Sequence, residues 1–402
     1  MKVEKIKELI QSCNVNFLIG SGLSRPYLNT LGDIENWLTE LSKEDNSPQK
    51  KVVIASVYAK YFTDVIKPNL QSEIDDDIIG YYDDVLGFYR QFLILWNDII
   101  VRRASRLHNK QINIFSTNID LFVERAAEKV GIEFNDGFKG RISPVFDEGN
   151  FQKSYTKTST HYQNVSEIPV FNLLKLHGSI DWKTINADIK QISHDSLLGN
   201  VQEVDKALES ISQDTLIEIE QKDTLAEMVT KVNALSKIDE EAIKPFTDSY
   251  DKLVIINPTK QKFKDTVLDL HFYELMRIYS NVLEKENSLL FVMGFSFADE
   301  HIAKITMRVA DSNPTLLIII FSFSDSEKTK FEEYLKLNSG KSKNNNILII
   351  TPSDFIETNA EGDKDKLAKL KSNVANFDFK TLNAEVFEQI SRMIPINSGN
   401  GK

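Results

Sequence analysis

The chain has 402 residues, 41% of them hydrophobic and 27% charged, with 48 basic against 59 acidic side chains and a formal net charge of −11. These proportions exclude a disordered, collagen-like or low-complexity polymer. The negative balance disfavours extended binding to nucleic acid or anionic lipid, whose phosphates repel it. Cys13 is the only cysteine, which excludes an intramolecular disulfide and any zinc site built from paired Cys-x-x-Cys motifs. The longest apolar run, residues 316–321, falls far short of the roughly 20 residues that cross a bilayer. With no secretory hydrophobic region at the amino terminus either, a cytoplasmic, membrane-free protein is expected.

Short runs rich in branched and aromatic residues occupy positions 15–19, 112–115, 173–176, 253–256, 289–293, 316–321 and 347–350. Each is nearly continuous in its apolar character, which suits parallel strands covered on both faces better than one-sided strands. Between the first two runs, Val85, Phe88, Phe92, Leu95 and Ile99 recur at helical spacing and predict an inserted helical module over residues 35–108. Val201, Val204, Leu208 and Ile211, then Leu225, Met228, Val232 and Leu235, predict a second insertion over residues 186–250. Residues 201–250 hold twelve acidic and five basic side chains, read first as a solvated helical face and second as a dock for a basic partner. One α/β domain over residues 1–335 and a carboxyl-terminal segment over 336–402, a strand and a helix with a frayed tail, complete the expected organisation. Gly340-Lys341-Ser342 fails as a nucleoside-triphosphate loop, because Leu335 stands where that motif needs a glycine.

Candidate chemistry gathers where the runs end. The first leads into Gly20-Ser21-Gly22-Leu23-Ser24-Arg25, where glycines let backbone N–H groups approach an anionic oxygen, Ser21 and Ser24 add hydroxyls, and Arg25 offers a bidentate contact. A plain turn into a helix reads the same residues without function. The second run leads into Ser116-Thr117-Asn118-Ile119-Asp120, the third into Leu176-His177-Gly178-Ser179, and the fifth into Gly294-Phe295-Ser296-Phe297-Ala298-Asp299. Asn118 and Asp120 alone read equally as the start of a helix, His177 as a structural histidine, and Gly294 and Ser296 as a simple turn. In a doubly wound sheet, however, the carboxyl ends of the strands share one crevice, so these clusters are expected to converge.

In order and spacing these motifs resemble the sirtuin family. Gly20-Ser21-Gly22-Leu23-Ser24 is similar to its glycine-alanine-glycine-x-serine turn, and residues 116–120 to its threonine-glutamine-asparagine-isoleucine-aspartate motif. Leu176-His177-Gly178 is similar to its leucine-histidine-glycine motif, and Gly294-Phe295-Ser296 to its late glycine-threonine-serine turn. The resemblance implies a doubly wound, mostly parallel Rossmann-like sheet with inserted helical modules, binding NAD. It implies further that Gly20, Ser21, Gly22 and Ser24 hold the pyrophosphate with Arg25, and that Thr117, Gly294 and Ser296 also face NAD. Asn118 and Asp120 would face the nicotinamide ribose and carboxamide, with His177 as base.

Two departures redirect the expected activity. The four-cysteine zinc of deacetylating sirtuins cannot be built here, and their glycine-isoleucine-proline-x-phenylalanine-arginine stretch is replaced by Pro26-Tyr27-Leu28-Asn29-Thr30. The late Gly-Phe-Ser-Phe-x-Asp pattern followed by His301, and Pro258-Thr259-Lys260, resemble instead the zinc-free sirtuin-like NAD hydrolases of bacterial antiphage defence. In length the chain is most similar to the sirtuin-like partner of HerA-type ATPases. The resemblance thus implies NAD as substrate, no zinc, a homo-oligomer, and a HerA-like hexameric ATPase as partner. The alternatives are a noncatalytic module sensing NAD or ADP-ribose and, behind it, an NAD-dependent protein deacylase.

Overall fold

Apolar runs without polar alternation are stable only where both faces of a sheet are covered, and the chain meets that demand with a three-layer arrangement. The computed structural model describes residues 1–29, 34–70, 76–103, 108–186, 191–212, 214–220, 222–257, 270–337 and 344–395. Thr30, Pro258-Thr259-Lys260 and Gly340-Lys341-Ser342 lie outside the described residues.

In chain order the strands are β1 (Asn14–Ile19), β2 (Gln111–Ser116), β3 (Phe134–Asn135), β4 (Phe138–Lys139), β5 (Val145–Phe146), β6 (Tyr155–Thr158) and β7 (Val165–Ile168). They continue with β8 (Val170–Lys175), β9 (Trp182–Asn186), β10 (Gln191–His194), β11 (Ser288–Met293), β12 (Leu317–Phe321) and β13 (Ile347–Ile350). Seven of them form the central sheet in the order β13-β12-β11-β1-β2-β8-β3, and every pairing is parallel. From β1 the chain lays down β2 and the edge strand β3 on one side, inserts β8 between them, then crosses to β11 and builds outward through β12 and β13 on the other. This is the expected doubly wound α/β architecture, with its switch point between β1 and β11. The remaining strands form a four-stranded antiparallel sheet, β4-β5-β10-β9, and the ribbon β6-β7.

Successive side chains of the central strands enter opposite layers. Phe17, Ile19, Ile114 and Phe291 pack with the helix Asp76–Arg102 and the carboxyl-terminal helices, whereas Leu18, Phe115, Leu174, Val292 and Ile320 pack with the helices Leu270–Leu283 and Glu300–Ser312. An aromatic knot marks the first layer. Phe17 meets Trp96 edge-on at 4.7 Å and Phe92 at 5.0 Å, stacks on Phe291 at 5.4 Å, and reaches Phe387 at 6.4 Å. Each such pair adds about 0.5–1.5 kcal/mol beyond its burial.

Three expectations are corrected. The stripe from Val85 to Ile99 does not belong to an inserted module; it lies directly on the sheet. The segments 34–70 and 198–253 instead bury each other's apolar faces in one shared core, with Trp37, Val53 and Tyr61 against Val201, Met228 and Phe246, and Tyr58 stacked on Tyr250 at 4.4 Å. Periodicity shows that a helix face is buried but not against what. Residues 253–256 are not a strand of the sheet: their one ladder contact is an antiparallel bridge between Ile255 and Gly178. Nor does a domain boundary fall after residue 335, because β13 pairs with β12, Phe387 joins the aromatic knot, and Asn359 Oδ1 accepts from the Val3 N–H at 2.9 Å. No helix among the described residues is long and apolar enough to cross a membrane.

Phe387→Ala is expected to destabilise the protein by about 3–5 kcal/mol, as for other large buried aromatics. Urea unfolding measures it, and a loss below about 1 kcal/mol would mean that the carboxyl-terminal helix is not part of the core.

Candidate functional site

Parallel register decides which loops meet. Ile19 is paired with Met293 on one side and Ser116 on the other, and Ser116 with Lys175. Gly20, Gly294, Thr117 and Leu176 therefore leave the sheet in one row, and the clusters predicted from sequence share its carboxyl edge. At the switch point the two glycine turns are in direct contact. A Cβ on Gly20 would stand 2.5 Å from Gly294 O, and one on Gly22 would stand 2.9 Å from Gly294 Cα. Gly294 itself has φ +62 and would meet the Leu23 nitrogen at 2.7 Å.

That contact uses the amides. Gly20 N–H donates to Met293 O at 3.1 Å, Gly22 N–H to Gly294 O at 3.0 Å, and Leu23 N–H to Gly20 O at 3.1 Å. The backbone donors expected to point at a phosphate from Gly20 and Gly22 thus join the turns to each other instead. Ser24 is buried and its hydroxyl donates to Asp120 Oδ2 at 2.7 Å, so it too faces inward. Ser21 is half-buried and Arg25 exposed. Thr117 bonds Ile19 O through its N–H at 3.1 Å and its hydroxyl at 3.3 Å, and Ser296 is exposed with its hydroxyl oxygen accepting from Ala298 N–H at 3.3 Å.

Behind the first turn lies a buried polar network. Asn118 Nδ2 donates to Ser24 Oγ at 3.2 Å and to Tyr89 Oη at 3.3 Å, while Asp120 Oδ1 accepts from the Phe122 N–H at 3.2 Å. Asp120 therefore serves the start of the helix Phe122–Val130 as well as Ser24. Burial first, and the Asp120 carboxylate second, push the Tyr89 hydroxyl well above the usual phenol range. Asn118 is 4% exposed, and its Oδ1 has no hydrogen-bond partner among the described residues. A buried acceptor left open costs the desolvation it never recovers, and Glu124 Oε2 is left open in the same way.

Lys175 fixes the loop from below. Its buried ammonium donates to the carbonyls of Asn118, at 3.2 Å, and of Asp120, and it pairs with Glu124 at 3.0 Å. Burial raises the Glu124 carboxyl to about 7 against the pull of Lys175. Sequence reasoning missed this residue, although a lysine inside the apolar stretch Leu173-Leu174-Lys175-Leu176 was the available signal. Tyr89 gave no signal, being one more aromatic on a helical stripe.

His177 belongs to a different group. Its loop is held by Ile256 N–H donating to His177 O at 2.9 Å and Ser179 N–H to Val254 O at 3.2 Å. Gly178 between them has φ +77, and a Cβ there would lie 2.1 Å from Val254 O. The imidazole Nε2 meets Asp299 Oδ2 at 3.0 Å, and both side chains are buried. Asp299 Oδ1 meanwhile caps the helix Glu300–Ser312 by accepting from His301 and Ile302 N–H at 2.9 and 3.3 Å. β8 and β11 stand three positions apart, about 14 Å at sheet spacing, so this bond draws their loops together across the ends of β1 and β2. The pair lines a cavity of about 470 Å³ with Ile256, Tyr273, Met276 and Ile305.

The expected residues thus share an edge but divide between layers. Ser24 and Asn118 bond Tyr89 from the layer of the helix Asp76–Arg102, with Asp120 joined through Ser24, whereas His177 opens toward the helices Leu270–Leu283 and Glu300–Ser312. A further residue braces the His177 loop. His194 on β10 bonds Asp181 through Nδ1 and Asp136 through Nε2, each at 3.0 Å. Burial lowers its pKa, but the hydrogen bonds to Asp136 and Asp181 and their charges outweigh that and raise it to about 10. The sequence matches no protein-family model, and no curated protein is significantly similar to it.

Gly178→Ala combines a positive φ with a backbone clash and is expected to cost about 2 kcal/mol or more in urea unfolding. A neutral result would contradict the close approach of residues 253–256 to the His177 loop. The raised His194 pKa means the native state holds a proton that the unfolded state releases near pH 6.5. Its stabilisation is complete below that pH and is lost as pH climbs toward about 10. Thermal melts across this window are expected to fall in the wild type and to flatten in His194→Gln; equal slopes would exclude the imidazolium bridge.

Proposed function

We propose that the chain is an NAD hydrolase that cleaves the nicotinamide–ribose bond, yielding ADP-ribose and nicotinamide. The observation that carries the reading is the His177–Asp299 pair, a carboxylate-oriented imidazole in a cavity at the carboxyl edge of a doubly wound sheet. That edge is where such sheets take nucleotides.

Leaving-group chemistry sets what the residues must do. Nicotinamide departs from NAD as a neutral amide carrying the bonding electron pair, so no strong acid is needed. The demand is to position a water at C1′ of an oxocarbenium-like sugar and to take its proton. A carboxylate at Nε2 favours the tautomer protonated there and leaves the basic lone pair on Nδ1, so His177 accepts the proton while Asp299 stabilises the resulting charge. Asn118 Oδ1 accepts from a ribose hydroxyl, and Lys175 positions the Asn118 loop without touching substrate. In this reading the activity serves antiphage defence by depleting NAD in the cytoplasm, and a HerA-like ATPase contacting a homo-oligomer of this chain controls it.

A noncatalytic module that senses NAD or ADP-ribose is the second reading. It is favoured by the internally bonded Gly20 and Gly22 amides and by the placement of Asn118 and His177 toward different layers.

His177→Ala and Asn118→Ala are each expected to lower nicotinamide release from NAD at least about a hundredfold, the range for losing a positioned base or orienting group. Chromatographic quantification of nicotinamide from folded variants checks this, and wild-type rates would reject the assigned roles. Retained ADP-ribose binding by a wild type that never hydrolyses NAD would select the sensing module.

A further inference from the structure

The helices Leu270–Leu283 and Glu300–Ser312 flank β11 in the chain, so both run from the carboxyl edge of the sheet toward its amino edge. The cavity at His177 is therefore a groove between two parallel helices. Tyr273 and His301 line it near the crevice, and Glu284 and Arg308 line it at the far end. From Tyr273 to Glu284, one residue past the helix end, eleven helical rises span about 16 Å.

In a chain of net charge −11, three cations gather along this groove. Arg277, Lys304 and Arg308 line it against the carboxylates of Glu284 and Asp299, and Asp299 is already engaged by His177 and the helix amides. The three cations pair with surface carboxylates: Arg277 with Glu274, Lys304 with Glu300 at 2.9 Å, and Arg308 with Glu284 at 3.4 Å. Such exposed pairs contribute little net stability, whereas a phosphate offers arginine a bidentate, doubly charged partner. Two anion donors usual for the fold are engaged here: the Gly20 and Gly22 amides donate to the carbonyls of Met293 and Gly294, and Asp299 occupies the amino end of the helix Glu300–Ser312. Ile256, Met276 and Tyr273 give the groove an apolar side on which a base can rest.

We infer that this groove binds the phosphate-bearing part of a nucleotide, with Arg277, Lys304 and Arg308 as its anchors and the sugar to be cleaved directed at His177. The inference rests on reading the crevice as a nucleotide site, but the binding it describes does not depend on hydrolysis.

Calorimetric titration of the full chain with ADP-ribose tests it. Wild-type affinity is expected to weaken as salt rises, and adenosine, which lacks phosphate, is expected not to compete. The double variant R277E/R308E should bind ADP-ribose at least tenfold more weakly. K304E, a change at an exposed position, should lose several-fold and guards against a double variant that does not fold. Wild-type affinity in a folded R277E/R308E and in K304E, or no ADP-ribose binding by the wild type, overturns the inference. His177→Ala separates the two ideas. If it abolishes NAD hydrolysis while the charge variants bind normally, the groove assignment fails and the hydrolase reading stands. If it hydrolyses NAD like the wild type while the charge variants lose ADP-ribose, the groove stands and the role of His177 fails.

Discussion

His177 and Asp299 come from loops whose strands stand three positions apart, and the 3.0 Å bond between them spans the ends of β1 and β2. An all-parallel sheet brings every strand end that carries a polar cluster to one edge, but loops from strands three positions apart need a further bond to meet. The imidazole–carboxylate bond links that row at one wall of the groove. It also couples two duties in one carboxyl group, since the Asp299 oxygen not used by His177 begins the helix that walls the cavity. Displacing Asp299 would at once release the histidine and fray the wall.

The two faces of the sheet divide the remaining work. On one, close packing around Phe17 and Trp96 supports a buried polar network whose geometry is over-determined: Asn118 meets two hydroxyls, Asp120 serves a hydroxyl and a helix amide, and Lys175 grips both their carbonyls. Burying Glu124 beside Lys175 is costly, as its raised pKa records, and such pairs are often retained for geometry rather than stability. On the other face, exposed cations line a groove whose shape is set by two helices. The sheet thus carries a rigid buried network on one face and an accessible, cation-lined groove on the other.

Much of this fold is legible in the sequence. Continuous apolar runs located six of the seven strands of the central sheet, because strands covered on both faces leave that signature. β3 has only two residues and left none. The run at 253–256 imitated a strand because residues that brace a turn by antiparallel bridging are also buried and extended. The glycines of the first turn were recognised, but their purpose was not. Spacing shows that a backbone must come close to something, and here Gly20 and Gly22 come close to Gly294. The same blindness to partners hid the joint core of the two helical segments, the gripping role of Lys175, and the pairing of His177 with Asp299 across 122 residues of chain.

In the proposed activity this crevice breaks the nicotinamide–ribose bond with water. The most direct test is to follow NAD with the purified chain, alone and with a HerA-like ATPase, while quantifying both products. The account predicts nicotinamide and ADP-ribose appearing in equal amounts, with one oxygen from isotopically labelled water in the ADP-ribose. NAD left intact under both conditions would contradict it.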